Sequence, residues 1–497
     1  MNDFHGFNPR DGGFQPLGQY SLSGKYGRLF PQLPPLFNPG AVSESGQLSF
    51  ALQELACKML EEHDKDNRKI PAGYTYLGQF IDHDITFDTS SLSEIKLDPL
   101  AILNYRTPKF DLDSVYGIGP KVQPYLYERS TPQSEKIFFK LGATAKTSFL
   151  SDLDSFPNDL PRSDDGVALV GDPRNDENLI VAQLHIAFLK FHNKVMEQVS
   201  SLDRFQKNLF GAKNDFEIAR KIVIWHYQWI VLYDYLPRIA KLDRESVQKL
   251  VQENNSEIYQ QTDKPFVPLE FSMAAFRFGH SMIRSAYDFN RIFSPPQGSP
   301  ASLPQLLAFT GSRSASNVPV PSNWIIDWRR FFEIDTYTIE PNFSRQINPS
   351  LTNFFKLLAK DNPARNLAFL DLQRGVMAGL PSGQSVANYL GIQPLSEYEI
   401  AKSGRDGEIA EKYGFHRESP LLYYILKEAQ VRENGERLGD VGSYIVSRVF
   451  VGLLKRDFSS FVFQDKNWKP FLPSREIGHF TMADLLIFVN DINPLGD

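Results

Sequence analysis

Apolar residues recur at helical spacing over much of the chain and at strand spacing almost nowhere. Leu48, Leu52, Leu55, Ala56 and Met59 predict a helix over Leu48–Leu60, with polar Glu61–Arg68 as a connector. The pattern is strongest from Asp172 to Val199. Asp172 can cap the first turn, Pro173 suits the first helical position, and Val181, Leu184, Phe188, Phe191 and Val195 form one buried stripe. Ile222–Leu236 is apolar on nearly every side and predicts a central helix stopped at Pro237. Phe271–Ser285, Thr352–Lys360, Glu408–Tyr413, Leu421–Gly435 and Val441–Lys455 predict further helices. Residues 1–45 lack a sustained period and are rich in Gly, Pro, Asn and Phe, which predicts an extended arm over the surface. Pro295–Pro321, dense in Pro, Ser and Gly, reads as a long surface loop or a domain boundary. The expected architecture is mainly α, with one large helical domain over 46–497 and few short strands.

Composition excludes several classes. Of 497 residues 42% are hydrophobic and 23% charged, a globular balance. With 53 Lys+Arg against 59 Asp+Glu the net charge is −6, so no electrostatic footprint for nucleic acid is present. The most apolar run, Ile222–Tyr233, is shorter than the ~20 residues that span a bilayer. The uncharged stretch Gly375–Ser396 carries too many Gly, Pro, Ser, Gln and Asn residues for a membrane helix. Met1-Asn2-Asp3-Phe4-His5 has an acid where a secretory leader has basic residues, so no signal peptide and a cytoplasmic location are expected. Cys57 is the only cysteine, which excludes an internal disulfide, a multi-thiolate zinc site and a cysteine-ligated iron–sulfur cluster.

Nine histidines are few enough to weigh singly. His83 lies in Gly78-Gln79-Phe80-Ile81-Asp82-His83-Asp84. On a helix Gln79 and His83 share a face, while Asp84 points about 100° away and can serve a different site. Two carboxylates beside a histidine in an apolar segment are costly to bury without partners, although a solvated surface helix would also explain them. Arg174 and Glu177 sit at i, i+3, where an intrahelical ion pair is the ordinary explanation. His280 follows Phe276-Arg277-Phe278-Gly279, and Gly279 lets something bulky approach the backbone. A histidine in an apolar helix is more commonly a hydrogen-bonded core residue than a ligand. Thr107-Pro108-Lys109-Phe110-Asp111-Leu112-Asp113 alternates oxygen donors as a Ca²⁺ loop needs, and an acidic turn is the plain alternative.

Taken together and in order, these segments resemble the haem peroxidases of the peroxidase–cyclooxygenase superfamily, the group containing the mammalian myelo- and lactoperoxidases. The resemblance runs from about Tyr74 to about Tyr389, with weaker echoes near Phe480–Phe488. Its pieces are Gly-Gln-Phe-Ile-Asp-His-Asp at 78–84, Arg174-x-x-Glu177, Arg277-Phe278-Gly279-His280, Leu372-Gln373-Arg374-Gly375 with Gly379-Leu380-Pro381, and Asp111-x-Asp113-Ser114-Val115-Tyr116-Gly117.

The resemblance implies a haem-dependent reduction of H₂O₂ with oxidation of a halide, thiocyanate or a small phenolic donor. It implies His83 as distal base, Arg174 as the fixed charge beside the peroxide, Gln79 as holder of a distal water or halide, and His280 as proximal iron ligand. Arg277 and Arg374 would pair with haem propionates. Asp82 and Glu177 match the carboxylates that form ester links to haem methyl groups. Asn178 stands where the chlorinating member has Met, which argues for bromide, iodide, thiocyanate or phenolic donors. One Ca²⁺ would be held by Asp84, Thr107, Asp111, Asp113 and the Lys109 carbonyl, with Asp113 replacing a more usual Ser. Asp371 falls where the family has an Asn that accepts a hydrogen bond from the proximal histidine, and a carboxylate there should lower the reduction potential. Val376-Met377-Ala378 replace the usual Arg-Asp-His.

Three rival readings remain. A fatty-acid dioxygenase of the same superfamily carries a radical-forming Tyr where Arg277 stands. Asp82–His83 with His63-Asp64 could furnish half of a two-metal phosphohydrolase. A non-catalytic haem or calcium binder would not need both His83 and Arg174. The other histidines, including His185, His192, His226 and His416, are assigned to packing or surface roles. The expected partners are H₂O₂ and a small donor, with oligomeric state open and a monomer slightly favoured.

Overall fold

The computed structural model describes residues 24–38, 46–61, 65–88, 103–129, 136–148, 153–202, 210–211, 214–253, 265–311, 317–335, 338–354 and 366–497. Two helices, Gly73–Ile85 and Leu179–Gln198, pack against each other at its centre. The first is buried along nearly its whole length because apolar or small residues occupy almost every side of it. Phe80 stacks on Phe188 with centroids 4.8 Å apart, and Tyr227 from the Asp215–Ile230 helix meets both rings edge-on. Such ring pairs add about 0.5–1.5 kcal/mol each beyond the area they bury. Around this centre lie Gly46–Lys58, Leu367–Met377, Leu421–Glu433 and Asp440–Arg456, and one contiguous apolar core joins them all. Among the described residues the strands form only two-stranded pieces. The fold is mainly α, as the periodicity predicts.

Several boundaries differ from the pattern, each for a local reason. The Asp172–Val199 stretch is two elements: a 3₁₀ turn at Pro173–Asp176, then the long helix capped by Asn178, whose side chain accepts from the Ile180 amide. Asp172 caps the turn by accepting from the Arg174 amide at 2.9 Å. The helix running to Pro237 does not stop there. It widens into a π turn at Val231–Tyr235 and resumes at Leu236–Ile239, which absorbs the missing proline N–H and its ring. Phe271–Ser285 is a short helix, Leu269–Ser272, and a 3₁₀ segment, Ala275–Met282. Within the Glu61–Arg68 connector a strand begins, Asp66–Pro71, antiparallel to Phe343–Arg345. Thr352 lies in a strand beside Leu60–Glu61, and residues 355–360 of the helix expected there lie outside the described residues. The Pro295–Pro321 stretch contains a helix, Leu303–Ala308, and buries Leu303, Leu306 and Val320, so it is fastened to the molecule at these points.

The described part of the N-terminal arm is sewn into the core. Gly24–Lys25 pairs with Leu103–Asn104, Tyr26 and Phe30 are buried, and Glu270 accepts from the amides of Leu29 and Phe30. Arg28 donates to the carbonyls of Ala378 and Gly379.

Gly78 sits where the central helix passes closest to the π turn: a Cβ there would lie 2.3 Å from the Tyr235 hydroxyl. Gly78→Ala should therefore destabilise the fold by about 1–3 kcal/mol in urea unfolding, the usual cost of overpacking. Adding Tyr235→Phe should recover part of that loss.

Candidate active site

His83 and Arg174 meet where the central helix crosses the Pro173–Asp176 turn. His83 Nδ1 lies 2.8 Å from Asn175 Oδ1, and both side chains are buried. Arg174 Nη2 donates to the carbonyls of His83 at 3.0 Å and Thr86 at 2.6 Å, while the guanidinium stacks 4.5 Å over the Phe87 ring. The break after residue 176 is what turns Arg174 and Asn175 onto the neighbouring helix. Arg174 lies within the Pro173–Asp176 turn and Glu177 closes it, so neither belongs to the long helix that follows. Burial first, and then the Arg174 charge, push the His83 imidazole down to about 4, so it is neutral at pH 7.

Asp172 supports this arrangement from beneath. It is fully buried and accepts from Arg174 Nη2 at 2.8 Å and from Arg106 Nε at 3.0 Å. Burial alone would raise its pKa, but the charges of Arg106 and Arg174 outweigh that and hold it well below the usual carboxylate range. Arg106 also donates to the Gly171 carbonyl and reaches Asp113 Oδ1 at 3.1 Å. Gln79 is partly buried one turn before His83, and Asp82 accepts from the Thr86 hydroxyl at 3.0 Å. Glu177, also partly buried, ends the 3₁₀ turn.

A second cluster forms around His280. In a 3₁₀ segment residues three apart eclipse, so Arg277 and His280 project to the same side. Both meet Asp371: His280 Nδ1 at 2.7 Å and Arg277 Nη1 at 3.0 Å. Arg277 Nε donates to the Ser272 carbonyl. Asp371 is buried, yet the charges of His280, Arg277 and Arg374 overcome the burial and lower its pKa. Arg374 lies one helical turn beyond Asp371 on Leu367–Met377.

The third group is acidic. Donor oxygens of Asp84, Asp111 and Asp113 lie within 4.8 Å of one another. Burial and mutual repulsion raise all three carboxyls, Asp111 to about 7. Thr107 Oγ1 lies 3.3 Å from Asp111, and the Lys109 ammonium is paired with Asp457. Leu112 adopts a left-handed conformation (φ 55°) inside the loop and donates its amide to Asp84. Strain of roughly 1–2 kcal/mol at a bulky residue is tolerated where the surroundings over-determine the backbone. Hard oxygens converging on a buried excess of negative charge suit a divalent cation such as Ca²⁺.

The animal haem peroxidase family model matches residues 91–491. The chain belongs to the animal haem peroxidase family. His83 and Gln79 lie just before the matched residues. Human thyroid peroxidase is 30% identical over 197 residues, 37% of this chain and 20% of that protein. Haem peroxidase 2 of Caenorhabditis elegans is 33% identical over 126 residues, 24% of this chain and 16% of that protein. The aligned stretches thus span a fifth or less of these curated relatives. Among solved structures, peroxidase A from Dictyostelium discoideum superposes with a TM-score of 0.62 at 16% identity, covering 95% of this chain and 94% of that one. A fatty acid alpha-dioxygenase from Oryza sativa gives 0.57 at 16% identity, covering 89% of this chain and 76% of that one. These likenesses are of fold.

The family implies haem, and open space borders the segment that carries His280. A Cβ added at Gly279 would meet nothing within 4 Å, although Phe276 and Phe278 on the same segment are buried. The His280 side chain is 28% exposed, and with Nδ1 on Asp371 its Nε2 is the atom left for a ligand bond.

Sequence reasoning missed Arg106 altogether and treated Asp172 only as a cap and His185 as packing. Asn175 Nδ2 lies 3.0 Å from His185 Nδ1, so that ring belongs to the site. A lone Arg at the end of Leu103-Asn104-Tyr105 was the available signal for Arg106. Among the described residues no helix is long and apolar enough to cross a membrane.

The raised carboxyls give a sign to metal dependence. Without a cation their ionisation is unfavourable in the folded state, so stability falls as pH rises from about 4 towards about 7. The gain in melting temperature on adding Ca²⁺ after chelation should be larger at pH 8 than at pH 5. Asp172→Ala should cost about 3–5 kcal/mol in denaturant unfolding, because two buried guanidinium groups lose their shared partner.

Proposed function

We propose that the protein is a haem peroxidase that reduces H₂O₂ and oxidises a small donor of the bromide, iodide, thiocyanate or phenol class. The observation that carries this reading is the locked pair of His83 and Arg174, a neutral imidazole and a fixed guanidinium in one buried unit. Haem, when bound, would supply the iron at which the O–O bond breaks and the two electrons that H₂O₂ takes up, which the donor then restores. His83 Nε2 takes a proton from H₂O₂ and returns it to the departing oxygen. Arg174 stabilises the negative charge that develops there, and its bonds to Asp172 and two carbonyls mean that it need not reorganise to do so. Gln79, one turn from His83, holds a water or halide.

His280 would hold the iron through Nε2. Asp371 accepts its Nδ1–H, which makes the imidazole a stronger donor and lowers the reduction potential. Arg374 and Arg277 serve the propionates. Arg277 gives one Nη1 hydrogen to Asp371 and Nε to the Ser272 carbonyl, so Nη2 and the second Nη1 hydrogen would remain for a propionate. Asp82 and Glu177 would hold the haem covalently, through ester links to its methyl groups. Asn178 is committed to capping the long helix and offers no sulfur to the haem, which supports the easier donors over chloride. Ca²⁺ bound by Asp84, Thr107, Asp111, Asp113 and the Lys109 carbonyl steadies the residue after His83.

Fatty-acid dioxygenases share the fold, but the position of their radical-forming tyrosine is filled by Arg277, which is engaged with Asp371. For the phosphohydrolase reading, His83 faces Asn175 and not further metal ligands, and His63-Asp64 lie outside the described residues.

His83→Ala should keep haem but slow the reaction with peroxide by roughly 10²–10⁴-fold in stopped flow; unchanged turnover would mean His83 is not the base. Because burial and Arg174 depress the His83 pKa to about 4, the peroxide rate should be flat from neutral pH to about pH 5 and fall to half near pH 4. Glu177→Gln should remove one haem ester, read by mass spectrometry of the peroxide-treated holoenzyme. Asp371→Asn should raise the haem reduction potential.

A further inference from the structure

The Asn175 carboxamide bridges two buried rings, and its two ends differ chemically. Oδ1, which only accepts, lies 2.8 Å from His83 Nδ1, and Nδ2, which only donates, lies 3.0 Å from His185 Nδ1. All three side chains are at most 3% exposed, so water does not compete for these bonds. The direction of the amide therefore dictates where each ring carries its hydrogen. His83 must hold its hydrogen on Nδ1, and since a neutral imidazole has one, Nε2 keeps its lone pair. His185 accepts at Nδ1 and carries its hydrogen on Nε2. The reversed amide would satisfy both rings equally but would leave His83 with Nε2–H, unable to take a proton. The turn that bears Asn175 is held on both flanks. Its backbone amide donates to the Asp172 carbonyl, and the next residue, Asp176, is paired with buried Arg162.

We propose that Asn175, backed by His185, is a positioning residue that locks His83 in the Nδ1–H tautomer, so that the Nε2 lone pair faces the incoming peroxide. This rests on His83 being the peroxide base. It adds that the base is competent because of a neutral relay behind it, in which His185 is the far partner of the amide.

The test uses the haem-loaded protein and two association rates, for H₂O₂ and for cyanide. HCN must give up its proton on binding to ferric haem and involves no redox step, so it reports on the base alone. Asn175→Leu removes both hydrogen bonds at similar volume. It should slow both associations by about 10–100-fold, the range for losing an outer partner of a site histidine, with the resting optical spectrum unchanged. His185→Gln keeps an acceptor and should stay near wild type, whereas His185→Phe should slow both rates. Wild-type rates in Asn175→Leu alongside slowed rates in His83→Ala would overturn the relay and leave the base reading standing. Wild-type rates in His83→Ala as well would overturn the base reading itself. Should Asn175→Leu fail to take up haem, the His185 pair carries the test: slowing in Phe but not Gln supports the relay, and any other pattern overturns it.

Discussion

The site depends on one buried carboxylate. Asp172 holds Arg174 on one side and Arg106 on the other with no exposure to solvent, and neither guanidinium could be buried there without it. An ion pair at this depth is poor evidence of net stability, because desolvation offsets most of the Coulomb gain. Its value is geometric. The shared carboxylate fixes one guanidinium against the backbone of the helix carrying His83, and the other against the acidic loop at Asp113. In the proposed peroxidase, cation binding and placement of the peroxide-facing charge would thereby be joined through two side chains.

The same device recurs around His280. Asp371 is buried, pairs with a histidine and an arginine at once, and lies one turn from Arg374. In each cluster a carboxylate kept ionised by neighbouring cations sets the state of the groups that do the chemistry. The two differ in what the histidine gains. His280 meets a full negative charge and becomes electron-rich, whereas His83 meets a neutral amide and stays a weak, uncharged base. The roles proposed for them, iron ligand and proton acceptor for peroxide, call for that difference.

These polar clusters are held by an apolar frame with little freedom. Stacking of Phe80 on Phe188, with Tyr227 against both, fixes the spacing of the two central helices, and Gly78 lets the π turn approach the first of them. The π turn also frees Asp234 to accept from Tyr74 and from the Met482 amide, tying that helix to the C-terminal segment. Interiors this closely packed transmit displacement instead of absorbing it.

The amino-acid pattern by itself determined the helical class and the positions of several long helices, and it brought His83, Arg174, His280 and the acidic loop forward as candidates. Those features depend on residues close together in the chain, where periodicity and motif spacing report directly on local structure. What it left out depends on residues far apart. Arg106 is 66 positions from Asp172 and gives no local sign of its partner. Asn175 and His185 look like ordinary helix residues until the turn before residue 179 swings one of them onto the other. Asp371 was legible as an unusual residue, but its grip on Arg277 comes from the 3₁₀ winding of a segment whose spacing reads as α-helix. Tertiary structure decided these points because the partner of a buried charge is chosen by where the packed helices bring the chain together, and not by its neighbours in sequence.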